Sequence, residues 1–381
     1  MKKYHLYTPG PTPVPPNVFE AIAQPLFHHR HTEFIELFKR VNENLRYVFQ
    51  TKNDVFTLTC SGTGAMETAV CNLLSPGDVA LCVNGGKFGA RWGEICCSYG
   101  IQVEEILVEW GQAVDPHMVG NKLRERENIK AVFITHTETS TGVAHDVREI
   151  ARIVHESSGA LVVVDGITSV GALELAMDDW GLDAVLTASQ KGLMVPPGLA
   201  FIAVSERGWK QVQSSSLPRY YFDLRTARTA LSGMLTSWTP ATSLIAGLDV
   251  ALQMIRDEGL KNIWERHQRL AAAMRAGCEA LGLRLFPAVP SNALTVVVIP
   301  PQVDGVRLAQ ILRDEHGIAV AGGQAHLKGK IIRIAHLGYC HDNDIIAFLS
   351  SFEHSLNKCG WPCEEGSGVK ASRSKLQGPF A

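Results

Sequence analysis

The sequence predicts an α/β protein: a large domain with a mostly parallel sheet covered by helices on both faces, and a smaller C-terminal α/β domain. Three observations predict it. Apolar, β-branched runs of strand length alternate with helical patterns through the first half of the chain. Those runs are continuously apolar rather than alternating, which marks strands buried on both faces. After a long helical stretch the alternation resumes on a smaller scale, as a second unit would require.

Taken in order, the chain begins with YTPGPTPVPP (7–16), too rich in proline for a helix or a central strand. It reads as an extended arm, residues 1–16, that covers the site, with Gly10 as a candidate substrate contact. The strand candidates of the large domain are VFTLT (55–59), VALCV (79–83), AVFIT (131–135), LVVVD (161–165), AVLTA (184–188) and AFIAV (200–204). Helical patterns such as Met66–Leu74 and Val147–Ser157 lie between them. A long helical region, about Ala241–Leu281, is rich in Ala, Leu, Arg and Glu. The domain boundary is placed inside it, giving a large domain at 17–260 and a small one at 261–357. The small domain carries LRLF (283–286), LTVVVI (294–299), a helix near Gly305–His316, IAV (318–320) and IIRIA (331–335). From Lys358 onward apolar residues are few and no period is visible, so residues 358–381 read as a mobile tail.

Composition narrows the function classes. The chain has 381 residues, 46% of them hydrophobic and 19% charged, with a net charge of −2. Without a basic stripe or an acidic tail, nucleic acid and anionic membrane are not expected partners. No apolar run reaches membrane-spanning length, and MKKYHLYTPG has no apolar core to make it a signal peptide. Ser374-Lys375-Leu376 is not terminal and is not read as a peroxisomal address. Nine cysteines, scattered and mostly inside apolar runs, fit reduced core thiols and a cytoplasmic location. Neither Cys359 and Cys363 nor the histidines of HHRHTEF (28–34) have partners in ligand spacing, so no metal is expected.

The chemistry gathers at strand ends. Asp165 closes LVVVD, and Lys191 stands in a turn just after AVLTA. Ligands of open α/β sheets bind outside the carboxyl ends of the strands, so an acid and a lysine there converge on one ligand. Taken singly, Asp165 reads equally as a helix N-cap and Lys191 as a solvated loop residue. Together they suit a carbonyl cofactor with a basic ring nitrogen, pyridoxal 5′-phosphate, with lysine forming the Schiff base and the acid holding the ring proton. SGTGAMETA (61–69) follows a strand and opens a helix. Its glycines allow close approach, and Ser61 and Thr63 add hydroxyls to the free N–H groups of the helix end. It reads as a phosphate cradle or as a tight strand–helix turn. It lacks the glycine spacing of the nucleotide loops. Phe88 in NGGKFGARW (84–92) can stack on a flat ring or sit in the core. In THTETSTG (135–142), Thr139 is a donor for a phenolic oxygen and Glu138 a group that orients its neighbours, unless these are turn hydroxyls capping the next helix. Arg333, inside KIIRIAHLGY, needs a carboxylate, either an internal Asp or Glu or that of a substrate.

These motifs, together with TPAT (239–242) and RIAHLG, resemble the class V aminotransferases of fold-type I, and most of all the alanine–glyoxylate, serine–glyoxylate and serine–pyruvate group. The likeness runs from TPGPTPVPP to IIRIAHLGY. It implies that Lys191 is the Schiff-base lysine and general acid/base, and that Asp165 pairs with the ring nitrogen. Phe88 then stacks on the ring, Thr139 lies near the phenolic oxygen, and Gly62, Thr63, Gly64 and Gln190 contact the phosphate. Thr239 and Thr242 match a segment that reaches the cofactor phosphate of a partner subunit, so a homodimer is implied. Arg333 matches the arginine for the substrate carboxylate. The implied reaction is transamination between alanine or serine and glyoxylate or pyruvate.

Three alternatives stand beside it. Lyases of this fold, such as cysteine desulfurases, carry a histidine before the lysine and a reactive loop cysteine. Here Gln190 precedes Lys191, and residues 321–330 hold no cysteine. An aminotransferase for 2-aminoethylphosphonate is a closer rival, since Arg30 and the residues after it are compatible with it. A subunit that binds the cofactor but serves mainly as a partner in a complex is the third.

Overall fold

The structure, a computed structural model, describes residues 4–376. Its centre is a seven-stranded sheet. The strands are β1 (Val55–Leu58), β2 (Val79–Asn84), β3 (Gln102–Leu107), β4 (Ile129–Thr135), β5 (Leu161–Asp165), β6 (Ala184–Ala188) and β7 (Ala200–Val204), in the spatial order β1-β7-β6-β5-β4-β2-β3. Neighbours from β6 to β3 are parallel; β7 alone runs antiparallel, to both β6 and β1. Every residue of β5, β6 and β7 is buried, as continuous apolarity requires. The edge strand β3 is different. Its sequence QVEEIL is half-exposed, and Glu104 pairs with Arg126 and Lys122. This strand escapes an apolar-run reading because an edge shows one face to water.

Helices pack on both faces. They include α1 (Thr32–Phe49), α2 (Gly62–Leu73), α3 (Lys87–Ser98) and α4 (Val147–Ser157). Asp146 caps α4 by accepting the Glu149 N–H at 3.0 Å, and its buried face is Val147, Ile150, Ala151, Ile153 and Val154. The long helical region is two helices, α5 (Thr242–Glu258) and α6 (Leu260–Ala280), broken at Gly259 with φ +82°. Such a backbone angle suits glycine and ends α5 there.

Beyond α6 a four-stranded antiparallel sheet forms from β8 (Arg284–Leu285), β9 (Leu294–Val298), β10 (Ala321–Gly322) and β11 (Ile331–Ala335), in the order β8-β9-β11-β10. Helix α7 (Gly305–His316) and helix α8 (Asp342–Lys358) accompany it. One apolar cluster gathers buried residues from Val18 to Ile263, and a second gathers Leu270 to Leu376 together with Tyr7. The N-terminal arm thus belongs to both units: His5–Leu6 pairs in parallel with Ile318–Ala319, while Thr12 bonds the backbone beside Lys191.

The segment after Lys358 corrects the sequence reading. Instead of a featureless tail, Ser367–Leu376 forms helix α9, packed against α6 and α8. Two glycines permit the close crossing: a Cβ on Gly368 would lie 3.1 Å from the Gly277 carbonyl oxygen. The buried carboxylate of Glu353 accepts the N–H groups of Gly366, Gly368 and Val369 at 2.7, 2.8 and 3.1 Å, capping the helix. The signal is weak in sequence because only Val369 and Leu376 are large and apolar there. Residues 377–381 of the expected tail lie outside the described residues.

Candidate active site

Asp165 ends β5 in register with Thr135 of β4 and Leu186 of β6. Lys191 follows β6 by one turn. Both open into a cavity of about 260 Å³ at the carboxyl ends of the parallel strands. Gly10, Ser61, Gly62, Thr63, Phe88, Thr139 and Gln190 also line it. One chain therefore brings these together with the acid and the lysine.

Burial dominates the electrostatics. It pushes the Asp165 carboxyl up to about 7; the Ile167 N–H at 2.8 Å opposes the shift and Glu138 adds to it. It brings the Lys191 ammonium down to about 8, against the pull of Asp165 and with help from Arg333. The Lys191 Nζ donates to the Pro9 carbonyl, and its own carbonyl accepts from the Thr12 hydroxyl at 3.0 Å. Gly10 lies against the lysine with φ +150°.

The loop at the start of α2 forms a cradle. A Cβ on Gly62 would lie 2.5 Å from Ile167 Cδ1, and one on Gly64 would lie 2.6 Å from Cys60 Sγ. Gly64 itself does not line the cavity; it lets the loop fold against Cys60. The Gln190 Oε1 is buried without a hydrogen-bond partner among the described residues. A cradle that a side chain would fill, the first N–H groups of α2 and an unsatisfied amide suit a phosphate-bearing ring.

Glu138 organises the opposite wall. Its carboxylate accepts the N–H groups of Phe88 (3.1 Å), Gly89 (2.8 Å) and Ser140 (3.1 Å), and the Ser140 hydroxyl at 2.5 Å. It thereby caps α3 and fixes Phe88 at the cavity edge. The Thr139 hydroxyl meets that of Thr168 at 2.7 Å. Arg333 reaches across from β11: its Nη1 donates to the Thr139 carbonyl at 3.1 Å and its Nε to that of Gly322 at 2.9 Å. Both are backbone groups, so the internal Asp or Glu partner that the sequence left open is not what holds this guanidinium.

Thr239 and Thr242 stand elsewhere. Thr239 lines a separate small cavity with Phe56, Tyr221 and Trp238, and Thr242 opens α5. A single chain does not carry them to the lysine. Five lining residues went unassigned by sequence: Pro11, Arg91, Ile167, Thr168 and Pro197. Arg91 had a legible signal, since it stands three positions after Phe88 on α3 and so shares its face.

The family model for "Aminotransferase class-V" matches residues 4–345. The chain is 43% identical to "Soluble hydrogenase 42 kDa subunit" of Anabaena cylindrica, over 97% of this chain and 98% of that one. It is 33% identical to serine–glyoxylate aminotransferase of Arabidopsis thaliana, over 98% and 96%. Among solved structures, ureidoglycine–glyoxylate aminotransferase of Bacillus subtilis superimposes with a TM-score of 0.95 at 30% identity, covering 99% of each chain. The chain belongs to the class V aminotransferases, with their fold-type I architecture, and is a pyridoxal-phosphate-dependent transaminase acting between amino acids and oxo acids.

Proposed function

We propose that this enzyme passes the amino group of a small amino acid, alanine or serine, to glyoxylate or pyruvate. The observation that carries the reading is the shared cavity of Lys191 and Asp165, with Arg333 held beside Thr139. The names of the glyoxylate-using relatives support the acceptor. Bound here, pyridoxal phosphate supplies a carbonyl that condenses with amines and a protonated ring that draws electrons from the α-carbon.

The chain's own residues do the rest. Asp165 holds a proton on the ring nitrogen, and the apolar surroundings that raise its pKa strengthen that pairing. Burial brings the Lys191 ammonium down to about 8, so a share of it is neutral near physiological pH and able to move the α-proton. Phe88 covers the ring, while Ser61, Gly62, Thr63 and Gln190 hold the phosphate and Thr139 the phenolic oxygen. Arg333, with two of its nitrogens fixed by backbone carbonyls, presents the remaining edge of its guanidinium to the substrate carboxylate. Gly10 leaves room above the lysine for that substrate.

We further infer a homodimer in which Thr239 and Thr242 serve the partner's cofactor, because neither reaches its own cavity. No helix among the described residues is long and apolar enough to cross a membrane. The nine cysteines, all free, support a cytoplasmic location.

The test is an assay of glycine formation from glyoxylate with alanine, serine and aspartate as donors. The reading requires alanine or serine to outperform aspartate. A second reading, a subunit of a soluble hydrogenase, rests on the name of the Anabaena relative. It requires co-purification with hydrogenase activity and no turnover with any donor.

A further inference from the structure

We propose that Arg91 is a binding residue for the cofactor phosphate, supplying the full positive charge that the cradle at the start of α2 lacks. This rests on the pyridoxal-phosphate reading of the cavity and assigns one more residue to it. The cradle offers glycine backbone, two hydroxyls and a helix end, all formally neutral. A phosphate ester brings close to two negative charges, and a helix end counters only about half a charge. A cation is therefore wanted at that end. Lys191 and Arg333 are both committed elsewhere, to the carbonyl chemistry and to Thr139.

Arg91 fits the vacancy in charge by position. It lines the same cavity as Ser61, Gly62 and Thr63. Its Nη1 donates to the Thr63 hydroxyl at 3.2 Å, so the guanidinium already touches the cradle. It shares a face of α3 with Phe88, and its guanidinium carbon lies 4.9 Å from the centre of that ring. The side chain thus lies along Phe88 with its head at α2. Among the described residues no carboxylate forms an ion pair with it, although it is only half-exposed. A guanidinium held against an uncharged loop, with hydrogen-bonding capacity left over, is suited to bidentate capture of a phosphate. Its field also reaches Asp165, where it favours the ionised carboxylate.

The rival role for Arg91 is mechanical support of Phe88, and pyridoxal separates the two. The full chain, stripped of cofactor, is titrated with pyridoxal phosphate and with pyridoxal, which keeps the ring and aldehyde but lacks the phosphate. Wild type, Arg91→Ala and Arg91→Lys are compared, following absorbance and tryptophan fluorescence. Arg91→Ala is expected to weaken pyridoxal phosphate by roughly tenfold or more, the scale of a charge-assisted hydrogen bond. Its affinity for pyridoxal stays within about twofold, and Arg91→Lys falls between on the phosphate ester. Equal weakening of both ligands, or no change in either, overturns the proposal. A wild type that binds neither would instead overturn the cofactor reading beneath it.

Discussion

Gly10 lies so close to Lys191 that a Cβ added to it would stand 2.6 Å from the lysine Cε and 2.7 Å from Nζ. The arm and the lysine are therefore fitted to one another, and a side chain at position 10 must displace the amine. Gly10→Ala is expected to lower kcat/KM by roughly tenfold to a hundredfold, the scale of a displacement near 1 Å at a reacting group. The φ of +150° adds strain of about 1–3 kcal/mol. Steady-state kinetics beside a melting curve checks this; unchanged kinetics would show that the arm does not confine the lysine.

Arg333 makes a sharper prediction through a conservative change. Arg333→Lys keeps a charge but cannot bond Gly322, Thr139 and a carboxylate together. KM for both amino donor and oxo acid should rise by roughly tenfold or more, with kcat changed less. An effect on kcat alone would remove Arg333 from substrate binding.

The two shifted groups set a pH dependence. Burial places the Lys191 ammonium at about 8, so the neutral amine that attacks the cofactor aldehyde grows in as pH rises through that value. Burial holds Asp165 protonated below about 7, so its carboxylate also appears with rising pH. Both signs agree: the rate of cofactor loading onto the stripped chain should climb between about pH 6 and 9 and then level off. Stopped-flow absorbance measures it, and a rate that falls over that range contradicts the burial argument.

The C-terminal helix carries a stability prediction. Ending the chain at Lys358 removes the buried Leu376 and the N–H donors of Gly366, Gly368 and Val369 from Glu353. The loss should be about 2–4 kcal/mol, visible as a melting point lower by several degrees. Equal melting points would mean that α9 contributes nothing to the small domain.

What was legible in the sequence follows from the physics of burial. The strands β4 to β7 are buried on both faces, so their apolar runs needed no partner to be recognised. Asp165 and Lys191 were legible only as a pair, because an acid and a lysine at two neighbouring strand ends converge on one ligand, whereas either alone reads as a cap or a loop residue. Strand β3 was not, since QVEEIL is largely exposed and carries two glutamates instead of an apolar run. Helix α9 was hidden by its dependence on Gly277 and Glu353, which lie far away in sequence. For Arg91 the spacing from Phe88 was legible, but its bond to Thr63, on another helix, was not. The Arg333 partners could not be foreseen either, because backbone carbonyls leave no side-chain signal.

The most direct measurement is the visible absorption spectrum of the purified protein and of Lys191→Ala, before and after adding alanine or serine and then glyoxylate. The wild type should show a yellow band from lysine-bound cofactor that collapses with the amino donor and returns with glyoxylate, and Lys191→Ala should neither show that band nor turn over. A wild type without the band even after incubation with pyridoxal phosphate, or a Lys191→Ala variant that turns over normally, would contradict the assignment of this cavity.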